Sequence, residues 1–397
     1  MFSNTTFLMH KISLTLSKLL VFILYLFINA LFVYKYGIRQ QVIHPFLAIS
    51  AYIILVCLII AVSHRSKLSE RQLSIAFITI SITYAVFGVV INLLVEGHQL
   101  NVDRWSAMDV GIQALLNNEY PYAALDHLGG RTSNLPTLFL VGLPFYMIGD
   151  VGYLQVAAFI LFCLLLYKSL ASNRAKLIGL LLLISSSAFN WEVFCKSDLI
   201  SNFIIVLAYV ALVQAKFDQN KGFKPFTLGI TSALLLLTRL VTVIPLILLL
   251  GRKFINISGA QKAKFILAST LTASILILIV FKNYGNWEIV SEKNPFELQN
   301  RQLPLVASIS IVVLPLIYSL WIQNLRMLLL SSLIFLSLPV FGAFFYKVAM
   351  HGLSEAILTH AFDISYFNIL TPFVIYFLAF SADQAYTRIP EINRIVQ

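Results

Sequence analysis

The chain has 397 residues, 59% of them hydrophobic and 11% charged, with a formal net charge of +11 and a mean hydropathy of +0.87. Average soluble domains carry about 25% charged residues, so a water-soluble globule is excluded; the apolar runs do not alternate with polar residues, so a β-barrel is excluded too. The basic residues are spread over short loops without interleaved aromatics, which excludes a nucleic-acid surface and leaves membrane topology as their explanation.

In chain order, the apolar runs at 13–34, 45–63 and 73–95 each come close to the roughly 20 residues that a hydrocarbon core requires. The first has no convincing cleavage site and is expected to stay as an anchor. Between the second and third lies HRSKLSERQ, with Arg65, Lys67 and Arg71 against Glu70. The positive-inside rule makes that loop cytoplasmic and the polar stretch 96–134 extracytoplasmic. This stretch holds five of the seventeen acidic residues, Glu96, Asp103, Asp109, Glu119 and Asp126. A connector between membrane helices needs only a few residues, so a loop this long and acidic points to function.

The run 135–149 is short for a crossing, about 22 Å as a helix, and carries Pro136 and Pro144. Read as a juxtamembrane or re-entrant part of the loop, it leaves Lys168, Arg174 and Lys176 on the cytoplasmic side. Runs at 151–167 and 177–190 follow, then an outer turn WEVFCKSD, then 199–215, then a cytoplasmic connection with Lys216, Lys221 and Lys224. The next run, 226–250, has Arg239 at its middle. A straight span would hold that arginine at mid-bilayer at a cost of about 2.5–3.5 kcal/mol. Two short halves turning at Arg239 would instead carry the guanidinium to the outer surface. The remaining runs are 265–281, 303–321, 327–346 and 364–382. The expectation is an all-α polytopic membrane protein with about twelve crossings, a single integral-membrane domain over 1–397. It comprises N-terminal spans (1–95), an extracytoplasmic loop (96–150) and the rest of the bundle (151–397). Cys57, Cys163 and Cys195 lack metal-ligand spacing and read as packing residues.

This topology gathers polar groups on one face. Asp103 directly follows a membrane helix, Glu192, Lys196 and Asp198 lie in the second outer turn, and Arg239 marks the third. Such a set suits sugar transfer from a lipid-linked donor. A carboxylate general base takes the proton of the acceptor hydroxyl, and cations stabilise the departing phosphate. Trp105, Tyr120 and Tyr122 fit sugar or lipid contact, although interfacial belts use the same residues. Tyr284, Trp287 and the segment 294–302, with Arg301, read as a cover over the site. Asp109 and Glu119 read as helix-surface or capping groups, and His351, His360 and Asp363 stay outside the core set.

The stretch DRWSAMDVGIQALLNNEYPY resembles the first outer loop of the GT-C superfamily. It is most similar to the polyprenol-phosphate-sugar-dependent, mannosyltransferase-like branch, in which a G-x-x-P-Y element follows the Asp. Here Asn118 stands near the usual Gly. SNLPTLFLVGLPFYMIGD, CKSDLISN and LLLLTRL resemble that superfamily's post-loop segment, second-loop acidic motif and basic residue in a broken hairpin. The resemblance implies a GT-C helical bundle with a helical catalytic first loop, in the plasma (inner) membrane with its site on the extracytoplasmic face. Asp103 would be the catalytic base of an inverting hexosyltransferase. Lys196 and Arg239 would face the donor phosphate, while Glu192 and Asp198 would position the acceptor or support those cations. From the residues themselves, Arg301 is a further phosphate contact, and Tyr120 and Tyr122 are further substrate-positioning candidates. The implied partners are a polyprenyl-phosphate-linked sugar, a glycan or lipid acceptor and membrane lipids. No cofactor, metal or nucleic acid is expected. The alternatives are an O-antigen-type polymerase or ligase using a lipid-diphosphate donor, and a polytopic lipid or solute transporter.

Overall fold

A computed structural model describes residues 2–40, 43–282, 287–300, 305–359 and 361–395, with side chains from 15 to 383 apart from 287, 300, 305 and 307. Among the described residues all regular elements are helical; one isolated antiparallel bridge pairs Leu125 with Arg131. The helices run α1 (Phe2–Gln40), α2 (Pro45–Arg65), α3 (Glu70–Leu94), α4 (Arg104–Leu116), α5 (Pro136–Met147) and α6 (Tyr153–Ser169). There follow α7 (Asn173–Ser185), α8 (Ser187–Phe194), α9 (Leu199–Asp218), α10 (Pro225–Leu236), α11 (Val243–Asn256) and α12 (Gly259–Phe281). The last are α13 (Trp287–Glu292), α14 (Pro295–Asn300), α15 (Leu305–Ser319), α16 (Leu325–His351), α17 (Leu353–Leu358) and α18 (Thr371–Ile395).

Among the described residues seven helical segments are long and apolar enough to cross a membrane: Thr15–Gln40, Pro45–Arg65, Glu70–Leu94, Leu199–Asp218, Gly259–Phe281, Leu325–His351 and Ile364–Asp383. The protein is thus a polytopic helical membrane protein. The expected twelve crossings are not all met by full-length helices. α5, α6, α10 and the 308–319 part of α15 are apolar but shorter, and α7 and α8 form a pair bent by 58°. That bent pair also corrects the expected outer turn. Trp191–Phe194 is helical, and only 195–198 turns.

Local signals explain the helix starts. Proline, whose missing N–H costs nothing at the first helical position, opens α2, α5 and α10. Ser258 and Gln261 form a capping box at α12. The Ser172 hydroxyl accepts from the Ala175 N–H at α7.

The chain divides into two compact units. The first comprises residues 1–86, 162–191 and 347–397; the second comprises 87–161 and 192–346. In the first, α1 packs on α2 and α18, and α7 packs on α18 and α2. In the second, α10 packs on α12, α11 on α15, and α4 on α5. The α4–α5 approach depends on Gly111, where a Cβ would collide with the Phe139 ring. Around it lies an aromatic core of Trp105, Tyr120, Tyr122, Phe139 and neighbouring aliphatic residues. The polar loop is thereby folded around its own apolar centre.

Candidate active site at the broken hairpin

The run 226–250 does break at Arg239. α10 ends at Leu236, a single 3₁₀ turn spans Leu240–Thr242, and α11 follows. Thr238 and Thr242 secure the break: their hydroxyls donate to Leu235 O at 2.7 and 2.9 Å. The expected destination of the guanidinium is corrected, because Arg239 does not reach the surface and is only 6% exposed. Its Nη2 donates to Asp198 Oδ2 at 2.5 Å and to Asn134 Oδ1 at 3.3 Å. A buried carboxylate from the start of α9 holds the charge inside, which a lone buried arginine could not sustain.

Lys196 has an equivalent arrangement. Its ammonium donates to Asp150 Oδ2 at 2.5 Å and lies 5.6 Å from the centre of the Trp105 ring. The other oxygen of Asp150 accepts from Trp105 Nε1 at 2.8 Å and from Gly152 N at 2.6 Å. A Cβ at Gly152 would press on the Asn92 amide and on the Asp150 and Lys196 side chains, which would have to shift to admit it. The Lys196 backbone sits at φ +50°, a left-handed conformation that non-glycine residues seldom adopt. This strained turn is joined to α6 by Gln155, whose Nε2 donates to Ser197 O.

Of the two roles expected for Glu192, the exposure that positioning an acceptor needs is absent, and its contacts are those of a support for the neighbouring turn. It is fully buried and caps α9, accepting from Ile200 N and Ser201 N at 2.7 Å each and from the Ser201 hydroxyl at 2.9 Å. A carboxylate against unpaired N–H groups at a helix start is what the helix dipole favours. Its placement is structural support for the turn carrying Lys196 and Asp198.

Asp103 sits at the N-terminus of α4, exposed, and its side chain makes no capping bond. The loop around it is held by His127, whose Nε2 donates to Leu100 O at 2.6 Å while Nδ1 lies 2.5 Å from the Ser106 hydroxyl. Tyr120 and Tyr122 are buried against each other and Phe281, not offered to solvent. Burial raises the Tyr120 phenol to about 12. Asp109 is half-buried; desolvation, followed by the nearby Asp150 charge, raises its carboxyl above the usual range, and His98 partly offsets this.

Arg301 and Tyr284 lie outside the described residues, as does the Trp287 side chain. The rest of the expected cover forms the short helices α13 and α14. From α14, Gln299 donates to Ser133 O at 2.6 Å and accepts from Leu240 N at 2.8 Å, tying loop to hairpin. Among the described residues no three His, Cys, Asp or Glu side chains group as metal ligands.

Several buried polar atoms near these contacts have no hydrogen-bond partner among the described residues: Asp198 Oδ1, Arg239 Nε and both amide atoms of Asn202, one turn along α9 from Asp198. Such buried atoms are ordinarily satisfied by water, an ion or a ligand. The helices on both sides of the break, with α12 and α15, also line an apolar cavity of about 440 Å³. Leu237 and Val243, on either side of the Arg239 turn, both line it. Sequence reasoning missed Asp150, Asn134, His127 and Gln299, because each is paired with a residue distant in the chain and carries no spacing signal of its own.

Comparison with known proteins finds no matching family model, no similar curated protein and no similar solved structure.

Proposed function

We propose that the chain is an integral-membrane glycosyltransferase that moves a sugar from a polyprenyl-phosphate donor to a hydroxyl acceptor. The observation that carries this reading is the junction at Arg239. A buried, hydrogen-bonded cation stands at the break of a helix, and residues on both sides of that break line an open apolar cavity. A charged head on a hydrocarbon chain is the kind of ligand such a junction suits. The Nε of Arg239 has no acceptor among the described residues and is the donor offered to the phosphate. Lys196 and Arg239 are each paired with a carboxylate, so both cations are held in place before a phosphate arrives.

In the proposed step, the acceptor oxygen attacks the anomeric carbon as Asp103 takes its proton. The bond from that carbon to the phosphate oxygen breaks, and the electron pair leaves with polyprenyl phosphate. The exposure of Asp103 and a carboxylate that makes no capping bond suit a base that must meet an incoming hydroxyl. The test is incubation of purified protein with labelled polyprenyl-phosphate sugars. Asp103→Asn should lower turnover by about 10²–10⁴-fold without loss of fold. Unchanged turnover in that variant would remove Asp103 as the base. Turnover of diphosphate donors alone would move the assignment to a polymerase or ligase.

A further inference from the structure

The first unit carries a second charged region, of different character. We infer that the end of this unit formed by the α2–α3 and α6–α7 turns binds the headgroups of anionic phospholipids. Three helices present exposed apolar stripes to the bilayer, and each stripe ends in an exposed cation. On α2 the stripe is Leu58, Val62 and then Arg65; on α3 it is Ile82, Ile78, Ile75 and then Arg71; on α6, Leu164 precedes Lys168. These spacings of three and four residues keep each stripe on one helix face. Tyr167, exposed beside Lys168, lies 5.9 Å from its ammonium and 4.9 Å from that of Lys176. A tyrosine in that place marks the level of the headgroups.

The two turns are distant in sequence but form one surface. Arg174 donates to His64 O at 2.6 Å and to Ser66 O at 2.8 Å, and Asn173 donates to Glu70 O at 3.1 Å. Arg65, Lys67, Arg71 and Lys168 are thus collected together, and none has a carboxylate at ion-pair distance among the described residues. Of the nearby acids, Glu70 is exposed in the same turn and leaves the four cations with a net charge of +3 there, and Asp383 is engaged by the Ser172 N–H at 2.6 Å. Acyl chains on the stripes place a phosphodiester at the cations, and each Lys or Arg near the surface strengthens that attraction.

The experiment uses the full chain in phosphatidylcholine nanodiscs with spin-labelled phosphatidylglycerol or spin-labelled phosphatidylcholine, reading the immobilised lipid fraction. Wild type should prefer phosphatidylglycerol by about three- to tenfold, less at high salt. The combined Arg65→Gln, Lys67→Gln, Arg71→Gln, Lys168→Gln variant should lose the preference. None of these side chains takes part in the Arg174 clasp, and elution as a monodisperse species checks the fold. Should that variant not fold, Lys168→Gln alone should reduce the preference by about twofold. A control variant removing Lys216, Lys221 and Lys224 should keep it. No preference in wild type, or equal loss in the control, would overturn the assignment.

Discussion

The chain breaks two apolar helical runs, one in each unit, and satisfies them in opposite ways. Between α7 and α8 the break at Ser186 is filled by neutral groups. Asn29 Oδ1 accepts from the Ser186 hydroxyl at 2.7 Å and from Ala188 N at 3.1 Å, while Asn29 Nδ2 donates to Tyr25 O at 2.8 Å. Asn190 donates to Ile184 O and Ser186 O at 2.9 Å each, and its oxygen accepts from the Tyr84 hydroxyl at 2.8 Å. At Arg239 the groups are charged, and Asp198, Arg239 and Asn202 all keep atoms without partners among the described residues. A neutral, saturated network fixes a bend. A charged, incompletely bonded one leaves polar atoms open, which is what the proposed phosphate site requires.

The comparison breaks first at Asp198. Asp198→Ala leaves a buried guanidinium without its counter-charge and should cost about 3–5 kcal/mol, read from thermal unfolding in detergent. The double variant Asp198→Ala, Arg239→Leu removes both charges and should recover most of the loss. If the single variant were harmless, Arg239 would be a solvated group, and the contrast between the two breaks would fail. Asn29→Ala should come next, at about 1–3 kcal/mol, because it strips the buried Ser186 hydroxyl and Ala188 N–H of their shared acceptor. Turnover per folded molecule of the proposed reaction should stay unchanged there. A selective loss of turnover would show that the neutral break is not merely architectural.

Legibility in the sequence followed the range of the interaction. The break at Arg239 was readable because an arginine inside an apolar run is costly wherever it goes. Its destination was not, because the neutralising carboxylate comes from Asp198, 41 positions away. The short α5 was readable from its length and its prolines, and the long polar loop before it from its acidity. Asp150 was invisible, since nothing near it in sequence announces a lysine 46 residues on. Glu192 was misplaced because a carboxylate near a predicted turn looks exposed, whereas folding α8 turns it onto the start of α9.

The smallest effect expected belongs to Asp109, on the loop helix α4. Burial and the neighbouring Asp150 charge raise its folded-state pKa above the ordinary value of about 3.9. The folded chain therefore binds more protons than the unfolded chain between the two values, and stability falls as pH rises through that window. Above the folded value the penalty is constant. Below the unfolded value it is absent, because both states are protonated. Asp109→Asn should accordingly raise the melting temperature slightly at pH 7 and leave it unchanged near pH 3. Solvent screening of a half-buried group keeps the gain small. A loss of stability at pH 7 would instead mean that the ionised carboxylate is being used, with His98 as the nearest candidate partner, and would join Asp109 to the charged hub of the second unit.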